Sequence, residues 1–251
     1  MRYAVGFDDT DTLGADRGTG KLARWFAKEL PDACTMLGVV RQQLLVHPDV
    51  PYTSHNSAAC CLVEGPEGMA DILVDRAVAH LAAHALDGSD PGLCVVAVNG
   101  HSLDAMQCFG YDCTQRLATQ GEAMRAAGHA HVSGHGGTND GIIGAVAGVG
   151  LTLSGWAGRF IEYGALRSLP DTLTVAELRE AGIDVMSLDR DATVPNLDDT
   201  VLTRGWCRPR LCGGKAVLPL VREGEAWASL GHKRGKQGGG AGKGNGQGHA
   251  G

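Results

Sequence analysis

The residues best suited to chemistry stand near the N-terminus, in the tract Gly6-Phe7-Asp8-Asp9-Thr10-Asp11-Thr12. Three carboxylates and two hydroxyls fall within five positions, just after the apolar run Tyr3-Ala4-Val5. Carboxylates this close repel one another and resist burial, so the pattern asks for a compensating divalent cation, usually Mg²⁺, and through it a phosphate. A buried strand that ends in acids at the edge of a sheet is also where α/β proteins place ligand chemistry. The plainer alternative is a solvated turn whose Asp and Thr cap the next helix, which would need only one or two of these residues.

Two further segments carry polar chemistry. The first is Ser133-Gly134-His135-Gly136-Gly137-Thr138-Asn139-Asp140-Gly141-Ile142-Ile143-Gly144. Its glycines allow close approach to a ligand, and a helix starting after them offers free N–H groups to an anion. It lacks the Gly-Lys-Ser/Thr of a P-loop and is not a clean dinucleotide fingerprint, so alone it is equally a connector between lobes. Combined with the aspartates it completes a nucleotide site, one element holding a metal and the other cradling phosphate. The second segment runs from Arg41 to Asn56. Pro48 and Pro51 pin an extended loop that presents His47, Tyr52, Thr53, His55 and Asn56. That loop is longer than a hairpin between two apolar strands requires, although an ordinary strand connector would read the same way.

The elements that must position these residues follow from periodicity. Residues 2–7 read as a buried strand, and Leu22, Phe26 and Leu30 mark a helix over 18–30. Residues 37–46 read as one long or broken strand and 57–63 as another. The spacing of Ile72, Leu73, Ala77, Leu81 and Ala85 predicts an amphipathic helix over 69–86, followed by a strand over 93–98. That order is βαββαβ, the ferredoxin-like pattern. Beyond it we expect a helix over 103–127 broken near Gly110, and a tightly packed helix over 141–149. A strand pair, 151–153 with 159–163, would turn at Gly155. A short helix over 175–181 is capped by Thr174 and stopped by Gly182; strands near Val185 and over 216–220 complete the set. The fold expected is therefore α/β (α+β): a ferredoxin-like unit over 1–98, a second α/β lobe over 99–228 with the glycine-rich loop, and a disordered, glycine-rich basic tail over 229–251.

Composition bounds the rest. With 251 residues, 43% hydrophobic and 20% charged, the chain can bury a substantial core. It has no apolar run long enough to span a bilayer and no signal-peptide pattern, so a cytoplasmic location with no membrane partner is expected. The eight cysteines then read as reduced thiols. Cys34, Cys60, Cys61 and Cys94 sit in or beside apolar runs, whereas the pairs Cys108/Cys113 and Cys207/Cys212 could present two sulfurs together to a metal. The net charge of −6 includes a tail at +4, which leaves the body at −10. Such a body is no general nucleic-acid binder, so an RNA partner would need a local basic patch or the tail.

In order along the chain, Gly6-Phe7-Asp8-Asp9-Thr10-Asp11, then Arg41 with His47-Pro48-Asp49-Val50-Pro51 and Asn56, then Ser89-Asp90-Pro91-Gly92, then the run from Gly141 to Gly150, resemble segments of the archaeal 2-agmatinylcytidine synthetases, which modify an isoleucine tRNA. The likeness runs from Met1 to about Tyr163 and continues more weakly to about residue 220. It implies an enzyme that uses ATP to activate C2 of an anticodon cytidine and then attaches agmatine, with a kinase-like ATP site. Asp8, Asp9 and Asp11 would hold Mg²⁺ and phosphate or serve as base. Thr10, Gly18, Thr19, Lys21, Gly141 and Gly144 would line the nucleotide, and Arg41, Thr53, His55 and Asn56 would contact the acceptor. Two departures stand out. Where the family carries Gly-x-Cys-Thr, with a threonine that becomes phosphorylated, this chain has Arg17-Gly18-Thr19-Gly20-Lys21. The family's OB-fold and zinc ribbon, which hold tRNA, also have no counterpart here.

The leading expectation is an ATP-dependent, Mg²⁺-requiring enzyme of phosphoryl-transfer or ligase type. Its acceptor is a tRNA or a small molecule, and its oligomeric state is left open. The main alternative is a non-catalytic nucleotide- or RNA-binding module. An aspartyl phosphatase built on Asp9-x-Asp11 fits poorly, because Leu13 stands where Thr or Val belongs.

Overall fold

The computed structural model describes residues 1–50, 56–98, 100 and 102–230. Its first strand, β1 (Arg2–Asp8), sets the layering through the period-two alternation of a pleated backbone. Tyr3, Val5 and Phe7 enter one core, while Ala4, Gly6 and Asp8 face the opposite side of the sheet. Around it stand α1 (Thr19–Trp25, continued by a 3₁₀ turn, Phe26–Lys28), β2 (Thr35–Gln43), β3 (Ser57–Glu64), α2 (Ala70–His84) and β4 (Gly92–Val98). The strands pair antiparallel in the order β4-β1-β3-β2, with register Val5↔Cys61 and Val5↔Val95 about the centre. This is the ferredoxin-like arrangement expected from the sequence. Leu22, Phe26, Leu73, Ala77 and Leu81 of the two helices close one face, with Phe7 and Phe26 edge to face at 5.4 Å.

The other face is covered by α5 (Gly141–Leu153), almost wholly buried. A helix apolar on every side can be stable only when surrounded. The sheet lies beneath it, and α3 (Asp104–Asp112) and α4 (Gln120–Ala127) lie over it. Strand β5 (His131–Gly134) extends the sheet beyond β4.

On the opposite edge, β6 (Arg159–Glu162) pairs with both β2 and β10 (Arg210–Cys212), so the sheet continues without a break into the C-terminal half. There β11 (Lys215–Glu223), β12 (Ala226–Ser229), β9 (Thr200–Leu202) and β7 (Thr172–Thr174) follow, with β8 (Ile183–Ser187) parallel to β11. A third core around Phe160, Leu178, Leu218 and the fully buried Trp227 supports this half, beside α6 (Val175–Glu180). Thr174 caps α6 as expected, in a reciprocal box with Glu177.

Three local expectations are corrected. Residues 151–153 complete α5 instead of forming a strand, because the apolar surround of that helix extends to its last turn. The break in the 103–127 helix falls at 113–119, where Thr119 begins a new capping box. Gly110 lies inside α3, where its missing side chain lets α5 approach. Strand β2 ends at Gln43, and Leu44 and Leu45 leave the sheet to bond Asn56 and Cys113. The tail expectation falls largely on 231–251, outside the described residues; Ser229 is buried at the end of β12. Among the described residues no helix is long and apolar enough to cross a membrane.

Candidate active site

Because β1 alternates, its last residue, Asp8, turns toward α5. The helix lies directly over it: a Cβ added to Gly144 would stand 1.6 Å from Asp8 Oδ2, and one added to Gly6 would stand 2.6 Å from the Ala145 carbonyl oxygen. Only glycine at these two positions lets a helix ride this close to a strand. After Asp8 the chain turns sharply through Asp9, which holds a left-handed φ of 48°. The Leu86 N–H, just past α2, then donates to the Thr10 carbonyl at 3.1 Å. The buried Thr10 hydroxyl donates to Thr19 Oγ1 at 3.1 Å, and the Thr19 hydroxyl reaches Asp11 Oδ1 at 3.5 Å. Thr10 thus braces the acidic tip from beneath, while Thr19, also buried, lines the cleft beside it.

The tip and the start of α5 line one cleft. Asp8, Asp9, Asp11, Asp140, Gly141 and Gly144 form its acidic end, and Leu44, Leu45, Val50, Leu117 and Ile143 form an apolar wall. Burial raises the pKa of Asp8 to about 7, with the neighbouring charges of Asp9 and Asp11 adding to the effect. Burial also raises Asp9 to about 6, followed by repulsion from Asp90, Asp11 and Asp140. Asp90 is held by the glycine-rich loop, accepting from both the N–H and the hydroxyl of Thr138. The donor set is all oxygen, crowded and electrostatically unsatisfied, which suits a hard divalent cation such as Mg²⁺. The N–H cradle expected at α5 is partly occupied: Ile142 and Ile143 donate to the carbonyls of Asn139 and Asp140 at 3.2 and 3.0 Å.

The other residues anticipated from the sequence divide between this cleft and its surroundings. Asn56 lines the cleft, but its side-chain amide also donates to the Leu45 carbonyl at 2.6 Å and so holds the apolar wall. Thr53 and His55 lie outside the described residues. Gly18, Lys21 and Arg41 face a separate groove around the sheet edge, meeting the acidic cleft at Asp11, Thr19 and Ser57.

That groove went unrecognised in the sequence. It gathers Arg24, Arg167, Arg208 and Trp206 beside Lys21 and Arg41, and continues past Arg159 and Arg210 to the exposed Trp156. Arg167 and Arg208 lie over the Trp206 ring at 5.4 and 5.1 Å. Among the described residues, Glu162 alone forms ion pairs in this group, with Arg24 and Arg167. Burial and then the Arg208 and Arg159 charges lower the Arg41 pKa, and burial and then the Arg159 and Arg167 charges lower that of Arg208. Arg208 Nε is buried without a hydrogen-bond partner. The sequence signal was a scatter of arginines over one helix, three strands and two connecting segments.

Six of the eight cysteines are buried and behave as packing residues, while Cys108 is exposed and Cys212 half-buried. Cys34, Cys60, Cys61 and Cys94 are buried. Burial pushes the Cys60 and Cys113 thiols up to about 12 and Cys207 to about 11, which opposes the thiolate form that metals bind. Among the described residues, no cysteine belongs to a group spaced to hold a metal.

No family model and no curated protein matches this chain. Solved structures do. A tRNA fluorescent labeling enzyme superposes with a TM-score of 0.50 at 26% identity, covering 60% of this chain and 36% of its own. TiaS in complex with its isoleucine tRNA and ATP superposes at 0.51 and 25%, covering 60% and 36%. Apo TiaS, a tRNA agmatidine synthetase, superposes at 0.49 and 25%, covering 60% and 35%. The match spans about a third of the length of these proteins.

Proposed function

We propose that this chain is an ATP-dependent, Mg²⁺-requiring enzyme of phosphoryl-transfer or ligase type acting on a phosphate-bearing acceptor, a tRNA or a small molecule. One observation carries the reading: Asp8, Asp9 and Asp11 converge with Gly141 and Gly144 in a single cleft, although they come from opposite halves of the chain. The likeness to a TiaS complex containing an isoleucine tRNA and ATP supports it.

In this reading Asp8, Asp9 and Asp11 hold the cation, which when bound supplies charge neutralisation to a triphosphate. The apolar wall of Leu44, Leu45, Leu117 and Ile143 takes the nucleobase. Thr19 sits between the acids and the arginine groove and orients the group to be transferred. Of the two residues that could replace the family's threonine, Thr19 is the one hydrogen-bonded to the acidic tip. Lys21 faces the groove and lies 5.2 Å over the Trp25 ring. Arg41 and Arg208 engage phosphate of the acceptor, so that catalysis rests on positioning and electrostatics. The location is cytoplasmic.

The test is ATP turnover, by hydrolysis or isotope exchange, with candidate tRNAs and amines present. Asp9→Ala is expected to lower kcat on the order of 10²-fold or more while the protein stays folded. Equal turnover in both proteins would remove Asp9 from the chemistry. ATP binding without turnover in the wild type would identify a non-catalytic module instead.

A further inference from the structure

On the face of the ferredoxin-like sheet that α5 does not cover, three side chains converge that line no part of the acidic cleft and that the function above does not use. His80 and His84 are one turn apart on α2, and Glu29 caps the 3₁₀ turn that follows α1. A metal-binding atom from each lies within 4.8 Å of the other two. We propose that Glu29, His80 and His84 form a second metal site, for a borderline divalent cation such as Zn²⁺, distinct from the Mg²⁺ site in preference and place.

The argument starts from His80, which is 2% exposed. Its Nε2 lies 3.0 Å from the Leu22 carbonyl oxygen. A carbonyl only accepts, so Nε2 carries the proton and Nδ1 presents a lone pair. That Nδ1 is buried and has no hydrogen-bond partner. An orphaned acceptor at such depth is costly unless something occupies it. A metal-binding histidine usually donates from one ring nitrogen to a backbone carbonyl, as Nε2 does here, and leaves the other for the cation.

The neighbours fit. The His84 ring centroid is 4.6 Å from that of His80, as an i, i+4 pair on a helix allows. Glu29 adds a carboxylate, and both it and His84 are partly open to solvent. Two imidazoles and one carboxylate with an outward opening make a three-ligand set that leaves a fourth position for water. Bonds of roughly 2 Å in tetrahedral geometry need ligand atoms roughly 3.3 Å apart, so the side chains close by no more than about 1.5 Å. Nitrogen ligands favour Zn²⁺, Co²⁺ or Ni²⁺ over Mg²⁺. The cation would clip the end of the 3₁₀ turn after α1 to the last turn of α2, adding to the direct contacts that Leu22, Trp25 and Phe26 make with His80 and His84.

The test uses the full chain, stripped with a chelator and desalted. Zn²⁺ is titrated against a competing indicator, and Co²⁺ is followed by visible absorption. The wild type is expected to bind Zn²⁺ at micromolar or lower concentration with a rise in Tm, unaffected by millimolar Mg²⁺. Co²⁺ should give d–d bands without thiolate charge transfer. His84→Ala and Glu29→Gln, both at half-buried positions, should each lose one equivalent of Zn²⁺ or bind it at least tenfold more weakly, with ATP turnover retained. Zn²⁺ uptake identical in the wild type and both variants, no uptake by the wild type, or a thiolate signature would overturn the proposal. Because turnover is read separately, failure of this site and failure of the proposed activity are distinguishable.

Discussion

Asp8 and Asp9 are held where the native fold favours their protonated forms, and that tension has a measurable consequence. With the Asp8 pKa raised from 3.8 to about 7, the native state binds a proton that the unfolded chain has already released across that interval. The fold is therefore penalised as pH rises, fully so above pH 7, by an upper bound of about 4 kcal/mol. Asp8→Asn removes the charge while keeping the shape. In chelator-treated protein at pH 8, Asp8→Asn should melt several degrees above the wild type, with the gap closing as pH falls toward 4. Adding Mg²⁺ should raise the wild-type Tm and leave that of the variant nearly unchanged. A wild type that melts higher than the variant without metal would refute this account of the acidic tip.

At the scale of elements, α5 serves two purposes that single substitutions can separate. Gly144 gives Asp8 its space, whereas Gly150 gives space to α3: a Cβ there would lie 2.0 Å from the Met106 carbonyl oxygen. Gly144→Ala displaces a side chain, which can rotate away, so stability should fall modestly while turnover drops at least tenfold. Gly150→Ala meets backbone, which cannot rotate away; the helices must part, at a cost of about 1–3 kcal/mol. Its folded fraction should keep near-normal turnover. Thermal melts and kcat normalised to folded protein distinguish the two, and equal loss of activity in both variants would show that α5 acts only as core. The amphipathic spacing of α2 and the bounded apolar runs of β1 and β3 made these elements legible in the sequence. The last turn of α5 was not, because a short apolar run fits strand and helix alike until its surroundings are known.

Across the whole molecule, the unbroken sheet carries a local reversal of charge. A chain of net charge −6 gathers Arg24, Arg41, Arg159, Arg167, Arg208 and Arg210 along one groove, contributed by α1, β2, β6, β10 and the loops between them. Cations concentrated in this way act as a phosphate track, and exposed tryptophans offer stacking surfaces. Arg208→Ala combined with Trp206→Ala should weaken acceptor binding at least tenfold and reduce its salt dependence. The KM for ATP should stay within about twofold, because neither residue lines the acidic cleft proposed to hold it. Unchanged acceptor binding in the double variant would rule the groove out.

Much of the candidate site was readable before any fold was known. The Asp8–Asp11 tip, its strand, the glycine-rich start of α5 and the βαββαβ order all rest on local signals: apolar runs ended by turns, helical spacing and clustered charge. Where those pieces meet was not local. Asp8 beneath Gly144, Arg41 beside Arg208, and Glu29 against His80 and His84 depend on strand order and on which face each residue takes. A linear pattern fixes the face of an element but not its partner. Partner choice comes from the long-range pairing of β1 with β3 and β4 and of β2 with β6, and that pairing turned scattered polar residues into sites.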